Sequence, residues 1–497
     1  MLHSSKRRVK IVCTLGPASR TPDRLSQLIE SGLDIARLNF SHGTHDFHRG
    51  LVKTVREAST GAGKFVAIMQ DLQGPKLRVG KLPDEGVMLT AGDTVVLFPE
   101  GTTPKTSPHG KIMMPISAEI AEGICRDVRP GARILFDDGK VSTQVKTVNL
   151  PELIVEVQVG GKLTSHKGMN LPGTPLTIPC VTEKDIEDLA LGVSMGVDAI
   201  ALSFVRSAKD IEDVRKRIQK QSNHVPMLIA KMEREEAVEA QDSIIEVSDG
   251  LLVARGDMAV ELGAGRVPVI QKQLIHACSA LGVPIITATQ MLESMVSCPT
   301  PTRAEASDVA NAVFDGTDAV MLSAETASGQ YPVETVRTMS QIIIEAERST
   351  DRYSVHHPVQ PIPGSIVDSI EYSAARIAQH VGAVAIACVT HSGKAARTLA
   401  KYRPVTPIIA VMDDEASLRK LSFFWGVRGV VIPKIVATDD IFGMIEKVLI
   451  NHQLADVSDL LVVTAGIPTL GRGTTNTVKV HKVGAPIERV VRNRDLS

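Results

Sequence analysis

The stretch PMLIAKMERE, from Pro226 to Glu235, contains the pattern on which the prediction of the fold depends. A short apolar run ends in Lys231 and Glu233, and the next run, GLLVARGDMAV from Gly250, ends close to Asp257. Near-continuous apolar runs of this length are typical of parallel strands that are buried on both faces. The sequence therefore predicts buried parallel strands with charged side chains at their carboxyl ends.

Six further runs of the same kind raise the number of these predicted strands to eight. The runs begin at Lys10, Asp34, Phe65, Asp198, Pro284 and Asp318. Helical stretches follow several of them, among which are TPDRLSQLIESG, AKDIEDVRKRIQKQ and RVPVIQKQLIHACSALG. Eight strand–helix units predict an α/β fold with a closed (β/α)₈ TIM barrel.

Polar side chains end seven of these strands. They are Asn39 and Ser41, Asp71, Ser203, Lys231 and Glu233, Arg255 and Asp257, Thr287 and Thr289, and Ser323. The carboxyl ends of all the strands of such a barrel meet on one face, which is where barrel enzymes have their active sites. A lysine, carboxylates and hydroxyls that converge there predict a reaction site.

Two segments depart from the barrel pattern. Residues 74 to about 172 alternate polar and apolar residues and contain an Asp138-Gly139 turn, which predicts a small, barrel-like β domain inserted as a lid. After about residue 345, a Pro-rich linker precedes five strands with intervening helices, which predicts a C-terminal open parallel αβ sheet. The predicted division is 1–74 and 172–345 for the barrel, 75–171 for the insert and 346–497 for the C-terminal domain.

The composition argues against several classes of protein. At 497 residues the chain is too long for one hydrophobic core. The balance of 55 basic and 56 acidic residues argues against nucleic acid as a partner. No apolar run reaches the roughly 18 residues of a membrane span, so no membrane partner is expected. The six cysteines are far apart and include no CxxC, which indicates a reducing cytoplasm and argues against structural zinc.

Lys231, Glu233 and Asp257 form a candidate catalytic and metal site. Lys231 and Glu233 lie two positions apart at a strand end and therefore point to the same side. As an isolated pair they could be an ordinary surface ion pair, but Asp257 adds a second carboxylate from the next strand. Two carboxylates make the sparse oxygen site that Mg²⁺ takes, and Lys231 beside them could stabilise an enolate or a phosphoryl group in transit.

Further candidates for ion binding lie at the other strand ends. Gly256, at a predicted helix start, exposes backbone amides that can bind carboxylate or phosphate, and Thr289 could add a hydroxyl. Arg37 offers a fork of donors for phosphate. Oxygen ligands for a monovalent cation are offered by Asn39, Ser41 and Asp71.

Eleven stretches spread over the chain carry a family resemblance. They are KIVCTLGPAS, ARLNFSHG, DLQGPKLRVG, DDG, HKGMNLPG, LSFVRSAKD, AKMERE, ARGDMAVE, TATQMLESM, PTRAEASDVANAVFDGTDAVMLSAETASGQYP and GRGTTNTVKV. With these stretches the chain resembles the pyruvate kinase family over essentially its full length. Members of this family transfer a phosphoryl group from phosphoenolpyruvate to ADP in the last step of glycolysis, giving pyruvate and ATP, and are usually homotetramers. The family fold has the same three parts that periodicity predicts here.

The resemblance implies roles for the candidate site residues. Arg37 would grip the substrate phosphate, Lys231 would stabilise the transferring phosphoryl group and the enolate, and Glu233 and Asp257 would hold Mg²⁺ or Mn²⁺. The substrate carboxylate would be received by Gly256, Asp257 and Thr289, the nucleotide phosphates by Arg78, Asn39 and His42, and the proton for the enolate carbon would be relayed by Thr289 and Ser323.

The sequence departs from the family pattern after the third strand. Potassium-dependent members have Asp-Thr-Lys-Gly-Pro-Glu there, and this chain has Asp71-Leu72-Gln73-Gly74-Pro75-Lys76. We expect that K⁺ is not required, because the Lys76 ammonium could replace it in the site formed by Asn39, Ser41, Asp71 and Leu72. The alternative is that Lys76 points to solvent while K⁺ still binds. Ser207 stands where many relatives have a nucleotide-contacting lysine, which leaves nucleotide preference open.

A C-terminal loop, Thr390-His391-Ser392-Gly393-Lys394-Ala395, resembles the effector-phosphate loop of the family, although its usual final Thr or Ser is alanine here. Hydroxyls, a glycine amide and a lysine still predict an anion nest, with GRGTTN (471–476) opposite. We expect a sugar-phosphate or nucleotide activator that is bound by Thr390, Ser392, Gly393 and Lys394.

Two other functions are compatible with parts of this pattern. A divalent-metal barrel aldolase or lyase acting on pyruvate enolates would share the metal and lysine chemistry, but it has no reason to carry the insert or the C-terminal domain. A metabolite-binding scaffold that has lost catalysis would show substitution of Lys231, Glu233 or Asp257, and all three are present.

Overall fold

The chain begins with three strands that alternate with two helices. The computed structural model describes residues 7–107, 109–349, 359–433, 441–467 and 475–485, to which all that follows refers. The first elements are β1 (Lys10–Thr14), α1 (Pro22–Ser31), β2 (Ile35–Asn39), α2 (His45–Ala62) and β3 (Ala67–Asp71). Threonine side chains cap both helices, since Thr21 and Thr44 accept hydrogen bonds from first-turn amides.

A β-rich insert follows the third strand. Its elements are β4 (Val87–Leu89), β5 (Thr94–Pro99), β6 (Ile112–Ile116), α3 (Ala118–Asp127), β7 (Arg133–Phe136), β8 (Val141–Asn149), β9 (Glu152–Val159), β10 (Gly161–Leu163) and β11 (Met169–Asn170). One sheet has the order β11-β7-β8-β9-β5-β6, and β4 pairs with β10. The predicted Asp138-Gly139 turn joins β7 and β8, which pair antiparallel. The insert has its own apolar cluster, which includes Leu97 and Phe136.

The chain then returns to complete the barrel. These elements are α4 (Glu183–Ser194), β12 (Ala199–Leu202), α5 (Ala208–Gln219), β13 (Met227–Met232), α6 (Glu235–Glu239), α7 (Gln241–Val247), β14 (Gly250–Ala254), α8 (Arg255–Leu262), α9 (Val267–Leu281), β15 (Ile285–Ala288), α10 (Arg303–Asp315), β16 (Ala319–Leu322), α11 (Ala324–Ala327) and α12 (Pro332–Arg348). Residues Glu293–Val296 form a 3₁₀ turn. The last helix runs three residues beyond the predicted domain boundary at 345.

The strands close into a barrel, which confirms the predicted fold class. Their order is β1-β16-β15-β14-β13-β12-β3-β2, and all neighbours are parallel. Closure is the pairing of β1 with β16, in which Lys10 lies opposite Ala319. The strands are almost entirely buried, because helices cover the outside and apolar side chains fill the inside.

The C-terminal domain is an open αβ sheet. Its elements are α13 (Ile366–Val381), β17 (Ala385–Val389), α14 (Lys394–Ala400), β18 (Ile408–Met412), α15 (Glu415–Lys420), a 3₁₀ turn (Leu421–Phe423), β19 (Val427–Val431), α16 (Ile441–Asn451), β20 (Leu460–Ala465) and β21 (Thr477–Lys482). The strand order is β19-β18-β17-β20-β21. Part of the predicted Pro-rich linker (353–365) lies outside the described residues.

The expectation that this sheet is parallel throughout is wrong for its last strand. β21 pairs antiparallel with β20, whereas β17 to β20 are parallel. The connection between β20 and β21 comprises residues 466–476, and a parallel crossover needs a dozen or more residues. The chain therefore turns back directly beside β20.

The described residues contain neither a disulfide bond nor a helix that could span a membrane. All six cysteines are free thiols, and five of them are buried. None of the described helices combines the length and the apolar composition that crossing a membrane requires.

The carboxylate of Asp198 joins the barrel to the C-terminal domain. It is fully buried and pairs with Arg56 of α2 at 2.8 Å and with Arg419 of α15 at 3.0 Å. The backbone amide of Ile68 in β3 donates to the same carboxylate at 2.7 Å. A fully buried carboxylate that accepts from two partly buried cations and an amide is costly to remove, because all three donors lose this acceptor.

Replacing Asp198 with alanine is therefore expected to lower the free energy of unfolding by about 3–5 kcal/mol. The measurement is urea unfolding at fixed protein concentration, followed by the fluorescence of the single tryptophan, Trp425. Lys53→Ala is the control, because its pair with Glu57 is exposed and should be worth less than about 0.5 kcal/mol. A D198A protein as stable as the parent would contradict this account of the junction.

Candidate active site

The Lys231 ammonium, at the end of β13, is the centre of a buried charge cluster. Its Nζ lies 2.8 Å from Oε1 of Glu233 and 3.4 Å from Oδ1 of Asp71. It also donates to Oγ of Ser203 at 2.7 Å. Lys231 and Glu233 point to the same side, as strand alternation predicts. The lysine side chain is only 12 % exposed, so these contacts replace most of its hydration.

Asp71 links a second cation, Arg37, to the same cluster. Arg37 Nε lies 2.7 Å from Asp71 Oδ2, and its Nη1 donates to the Thr14 hydroxyl at 2.8 Å. That hydroxyl in turn donates to the backbone carbonyl of Leu322 in β16. The Arg37 guanidinium is thus held by residues of β1 and β3, and Asp71 lies between the cations Arg37 and Lys231.

The electrostatics keep Lys231 and Asp71 ionised. Burial alone would lower the pKa of Lys231, but the charges of Asp71 and Glu233 raise it above its ordinary value. Burial would raise the pKa of Asp71, but Lys231 and Arg37 hold it below its ordinary value. Burial raises the pKa of Glu233 above its ordinary value, which the charge of Lys231 opposes and that of Asp257 reinforces. The arrangement presents two cationic side chains at the barrel mouth.

The predicted metal ligands lie beside this cluster. Glu233 Oε2 accepts a hydrogen bond from the backbone amide of Phe204 at 2.9 Å. Asp257 is half-buried in the first turn of α8, and its charge contributes to the pKa values of Lys231 and Glu233. No group of three or more His, Cys, Asp or Glu in the described residues forms a metal cage. Two carboxylates nevertheless fit Mg²⁺, which keeps waters and takes ligands from its substrate.

The predicted carboxylate site has its two parts in contact. Helix α8 begins at Arg255, and the amide of Gly256 donates to Oγ1 of Thr289 at 2.9 Å. Thr289 has a left-handed backbone with φ of 68°. Arg255 holds that turn, because its guanidinium donates to the carbonyls of Ala288 and Thr289 and pairs with Asp308. An amide and a hydroxyl are thereby fixed next to Asp257.

Ser323 stands apart from this pair. It follows β16 directly, and its backbone amide donates to Glu325 Oε2 at 2.6 Å. Within the described residues, no hydrogen bond connects Ser323 to Thr289. The predicted proton relay is therefore not pre-assembled as a hydrogen-bonded chain.

The loop after β2 is held in place from both ends. Asn39 Oδ1 accepts the amide of Ser41 at 3.1 Å, and His48 Nε2 lies 2.9 Å from the carbonyl of His42. The His48 ring stacks on Phe40 with centroids 4.0 Å apart. These contacts give the predicted nucleotide loop a defined shape.

Basic side chains surround the edge of this loop. Burial lowers the pKa of His42, and the charges of Lys76, Arg78 and Arg37 lower it further. Burial, followed by the charge of Arg78, also lowers the pKa of Lys76, although its side chain keeps contact with solvent. Arg78 donates to the carbonyl of His166 at 2.8 Å, and both residues belong to the insert. The resulting edge suits polyphosphate oxygens.

Lys76 is exposed and does not contact the other residues of the predicted monovalent-cation site. No hydrogen bond or ion pair joins Lys76 to Asn39, Ser41 or Asp71 in the part of the chain that is described. Asp71 is instead paired with Arg37 and Lys231. The Leu72 side chain is buried, and its carbonyl accepts the Ser203 hydroxyl at 2.7 Å.

Three residues of the site have no role predicted from the sequence. Ser203 and Thr14 are polar residues at strand ends, a pattern that marks both as candidates. Phe204 gave no signal, because it is apolar and acts through its backbone amide. Its backbone φ of 56° lies in the left-handed region, which residues other than glycine rarely adopt.

The predicted effector loop is a compact turn before α14. The Thr390 hydroxyl accepts the amide of Gly393 at 3.0 Å, and Ser392 Oγ accepts that of Lys394 at 3.4 Å. Gly393 has φ of 77°, and a Cβ there would lie 2.9 Å from Leu421 Cδ2, so only glycine fits. Residues 471–474 of the opposing GRGTTN stretch lie outside the described residues.

Comparison with known proteins gives the same answer for both halves of the chain. Residues 6–336 match the family described as "Pyruvate kinase, barrel domain", and residues 368–481 match "Pyruvate kinase, alpha/beta domain". The pyruvate kinase of Geobacillus stearothermophilus is 44 % identical over 484 residues, which is 96 % of this chain and 81 % of that protein. The pyruvate kinase of Staphylococcus saprophyticus is 42 % identical over the same shares. With this coverage, and with the barrel, insert and C-terminal sheet described above, the chain belongs to the pyruvate kinase family.

Proposed function

We propose that this chain transfers the phosphoryl group of phosphoenolpyruvate to ADP, giving pyruvate and ATP. The observation that carries the proposal is the buried cluster of Lys231, Arg37, Asp71 and Glu233 at the barrel mouth. In this reaction the bond between phosphorus and the enol oxygen breaks, and a bond to a terminal oxygen of ADP forms. The electron pair left on the enol oxygen gives an enolate, which takes a proton on carbon to become pyruvate.

Arg37 and Lys231 supply the positive charge that this transfer needs. Phosphoryl transfer depends on positioning and charge neutralisation more than on covalent catalysis. Arg37 binds the phosphate, and Lys231 stabilises first the phosphoryl group in transit and then the enolate oxygen. Because Asp71 holds both cations before substrate arrives, little reorganisation is needed, and each such group is worth about 3 kcal/mol of the barrier.

Glu233 and Asp257 would hold Mg²⁺ or Mn²⁺ next to Lys231. Their carboxylate oxygens match the hard ligands of these ions, and two protein ligands leave places for the substrate. When bound, the ion would polarise the substrate oxygens and neutralise charge on the transferring group. The amides of Gly256 and Asp257 and the Thr289 hydroxyl receive the substrate carboxylate.

The remaining roles are proposed for residues on the same face of the barrel and for the other two domains. Arg78, Asn39 and His42 contact the nucleotide phosphates, and the basic edge around His42 supports this. Thr289 and Ser323 deliver the proton to the enolate carbon, which requires an intervening water or substrate because they are not hydrogen-bonded to each other. The insert, taken as 75–171, closes over the site as a lid between the barrel parts 1–74 and 172–345, and 346–497 is regulatory.

The assembly and location proposed are those usual for the family. We propose a homotetramer in the cytoplasm, and the six free thiols suit a reducing compartment. The aldolase or lyase alternative is not favoured, because the family match covers the C-terminal domain as well as the barrel.

Replacing Lys231 with methionine should lower kcat by about 10²–10³-fold and change the dissociation constant of phosphoenolpyruvate far less, because the charge is needed most in the transition state. ATP formation from phosphoenolpyruvate and ADP measures the first quantity, and calorimetry measures the second. Lys216→Met, at an exposed helical pair, is the control. Undiminished turnover would show that Lys231 is misassigned.

Turnover is expected to be independent of K⁺, because the Lys76 ammonium supplies a positive charge near the charges of Asp257 and Glu233. The assay uses tetramethylammonium salts, free of K⁺ and NH₄⁺. Lys76→Met should lose about tenfold in kcat/KM, or ~1.4 kcal/mol, and recover part of it when K⁺ is added. Strong stimulation of the parent by K⁺ would refute the proposal.

A phosphorylated sugar or nucleotide is expected to lower the phosphoenolpyruvate concentration needed for half-maximal turnover. Lys394→Ala should remove that shift and leave turnover without the activator unchanged, because the anion loses its positively charged partner. Lys447→Ala, exposed on α16 of the same domain, is the matched control. If no phosphorylated metabolite shifts half-saturation in the parent, the loop is structural.

A further inference from the structure

Two arginines of the barrel hold the chain where it returns from the insert. Arg234 Nη2 donates to the carbonyl of Thr174 at 2.9 Å, and Arg206 Nη1 donates to the carbonyl of Leu176. Both carbonyls belong to the connection between β11 and α4, referred to below as the return connection (171–182). The two arginines follow β12 and β13, which are neighbours in the barrel.

Arg234 is placed to connect this segment with the catalytic groups. It follows Glu233 directly and has an extended backbone, with φ of −116° and ψ of 155°. Successive side chains of an extended chain point to opposite sides. Glu233 therefore faces Lys231 at the barrel mouth while Arg234 faces the return connection, and one short segment fixes both.

Two carboxylates pair with the Arg234 guanidinium. Glu236 of α6 accepts from its Nε and Nη2 at 3.3 Å. Glu261 Oε1 of α8 lies 3.3 Å from Nη2, and the side chains of Arg234 and Glu261 are less than a tenth exposed. Burial raises the pKa of Glu261 to about 7, which Arg234 opposes and the backbone amide of Gly173 opposes further. Glu261 thus faces the arginine and the return connection together.

The outgoing connection is held by apolar contact and by one hydrogen bond, which the amide of Gly74 donates to Oδ1 of Asp185 at 3.2 Å. Gly74 has φ of 68°, and a Cβ there would lie 2.8 Å from the ring of Phe204. The same ring borders a small cavity of about 30 Å³ that Pro75, Leu77 and Leu176 also line. Apolar surfaces can slide over one another, whereas the arginine hydrogen bonds are directional. The arginine hydrogen bonds therefore fix the position of the return connection on the barrel.

We propose that Arg234 is a positioning residue, which ties the return connection of the insert to the segment that carries Lys231 and Glu233. Closure of the insert then sets the catalytic groups in the same movement. The effect on catalysis rests on the phosphoryl transfer proposed above. The contact between Arg234 and the return connection does not depend on that proposal.

The test compares Arg234→Met/Glu261→Gln with the parent by hydrogen exchange and by steady-state kinetics. The double variant avoids leaving a buried carboxylate unpaired, which could prevent folding. Backbone amides of residues 171–178 should exchange about tenfold faster, with the barrel strands unchanged. kcat should fall about tenfold while KM changes less than about threefold, because closure matters most in the transition state. Arg234→Lys, which can still donate to one carbonyl, should recover part of both effects.

Arg266→Met is the matched control, since its pair with Glu235 is exposed and does not reach the return connection. Faster exchange throughout the barrel would show a merely structural role and overturn the proposal. Unchanged exchange, or local loosening with unchanged kcat, would overturn it as well. If the parent itself forms no ATP from phosphoenolpyruvate and ADP, the proposed function falls, and the exchange measurement still decides whether Arg234 holds the return connection.

Discussion

A buried ammonium group stays charged only when carboxylates replace its water, and the structure is arranged around this requirement at Lys231. Arg37, Asp71, Ser203 and Lys231 come from β2, β3, the end of β12 and β13, which are consecutive strands of the barrel. The order of the strands therefore brings these side chains together, and none of the four comes from a helix. The opposite charges also explain why such polar groups can lie at the end of an almost wholly apolar barrel.

The insert and the C-terminal domain relate to this centre in different ways. The insert is bound at its hinges to residues adjacent in sequence to Ser203 and Glu233. The C-terminal domain contacts the opposite side of the barrel, through groups such as Arg419 on Asp198. The insert thus connects to the barrel near the charge cluster, whereas the C-terminal domain connects to it at the far end.

The eight barrel strands could be predicted from sequence because parallel strands buried on both faces have an unmistakable apolar pattern. Lys231, Glu233 and Arg37 could be predicted because charge at the end of such a strand is rarely accidental. The direction of β21 depends on the length of the connection that precedes it. The residue pattern of β21 gives no information about that direction. The role of Phe204 depends on a backbone amide, and the pairing of Asp71 with two cations depends on tertiary placement. Neither has a local signature.

Closure of the barrel also has a consequence for biosynthesis. Lys10 of β1 is paired with Ala319 of β16, so the first strand lacks a permanent neighbour on one side until the eighth has left the ribosome. At ordinary translation rates this interval is roughly 15 to 60 s. The insert, whose strands are contiguous in the chain, can form its sheet meanwhile. Nascent β1 to β3 thus expose apolar surface for that time, which makes the unfinished chain a natural client of molecular chaperones.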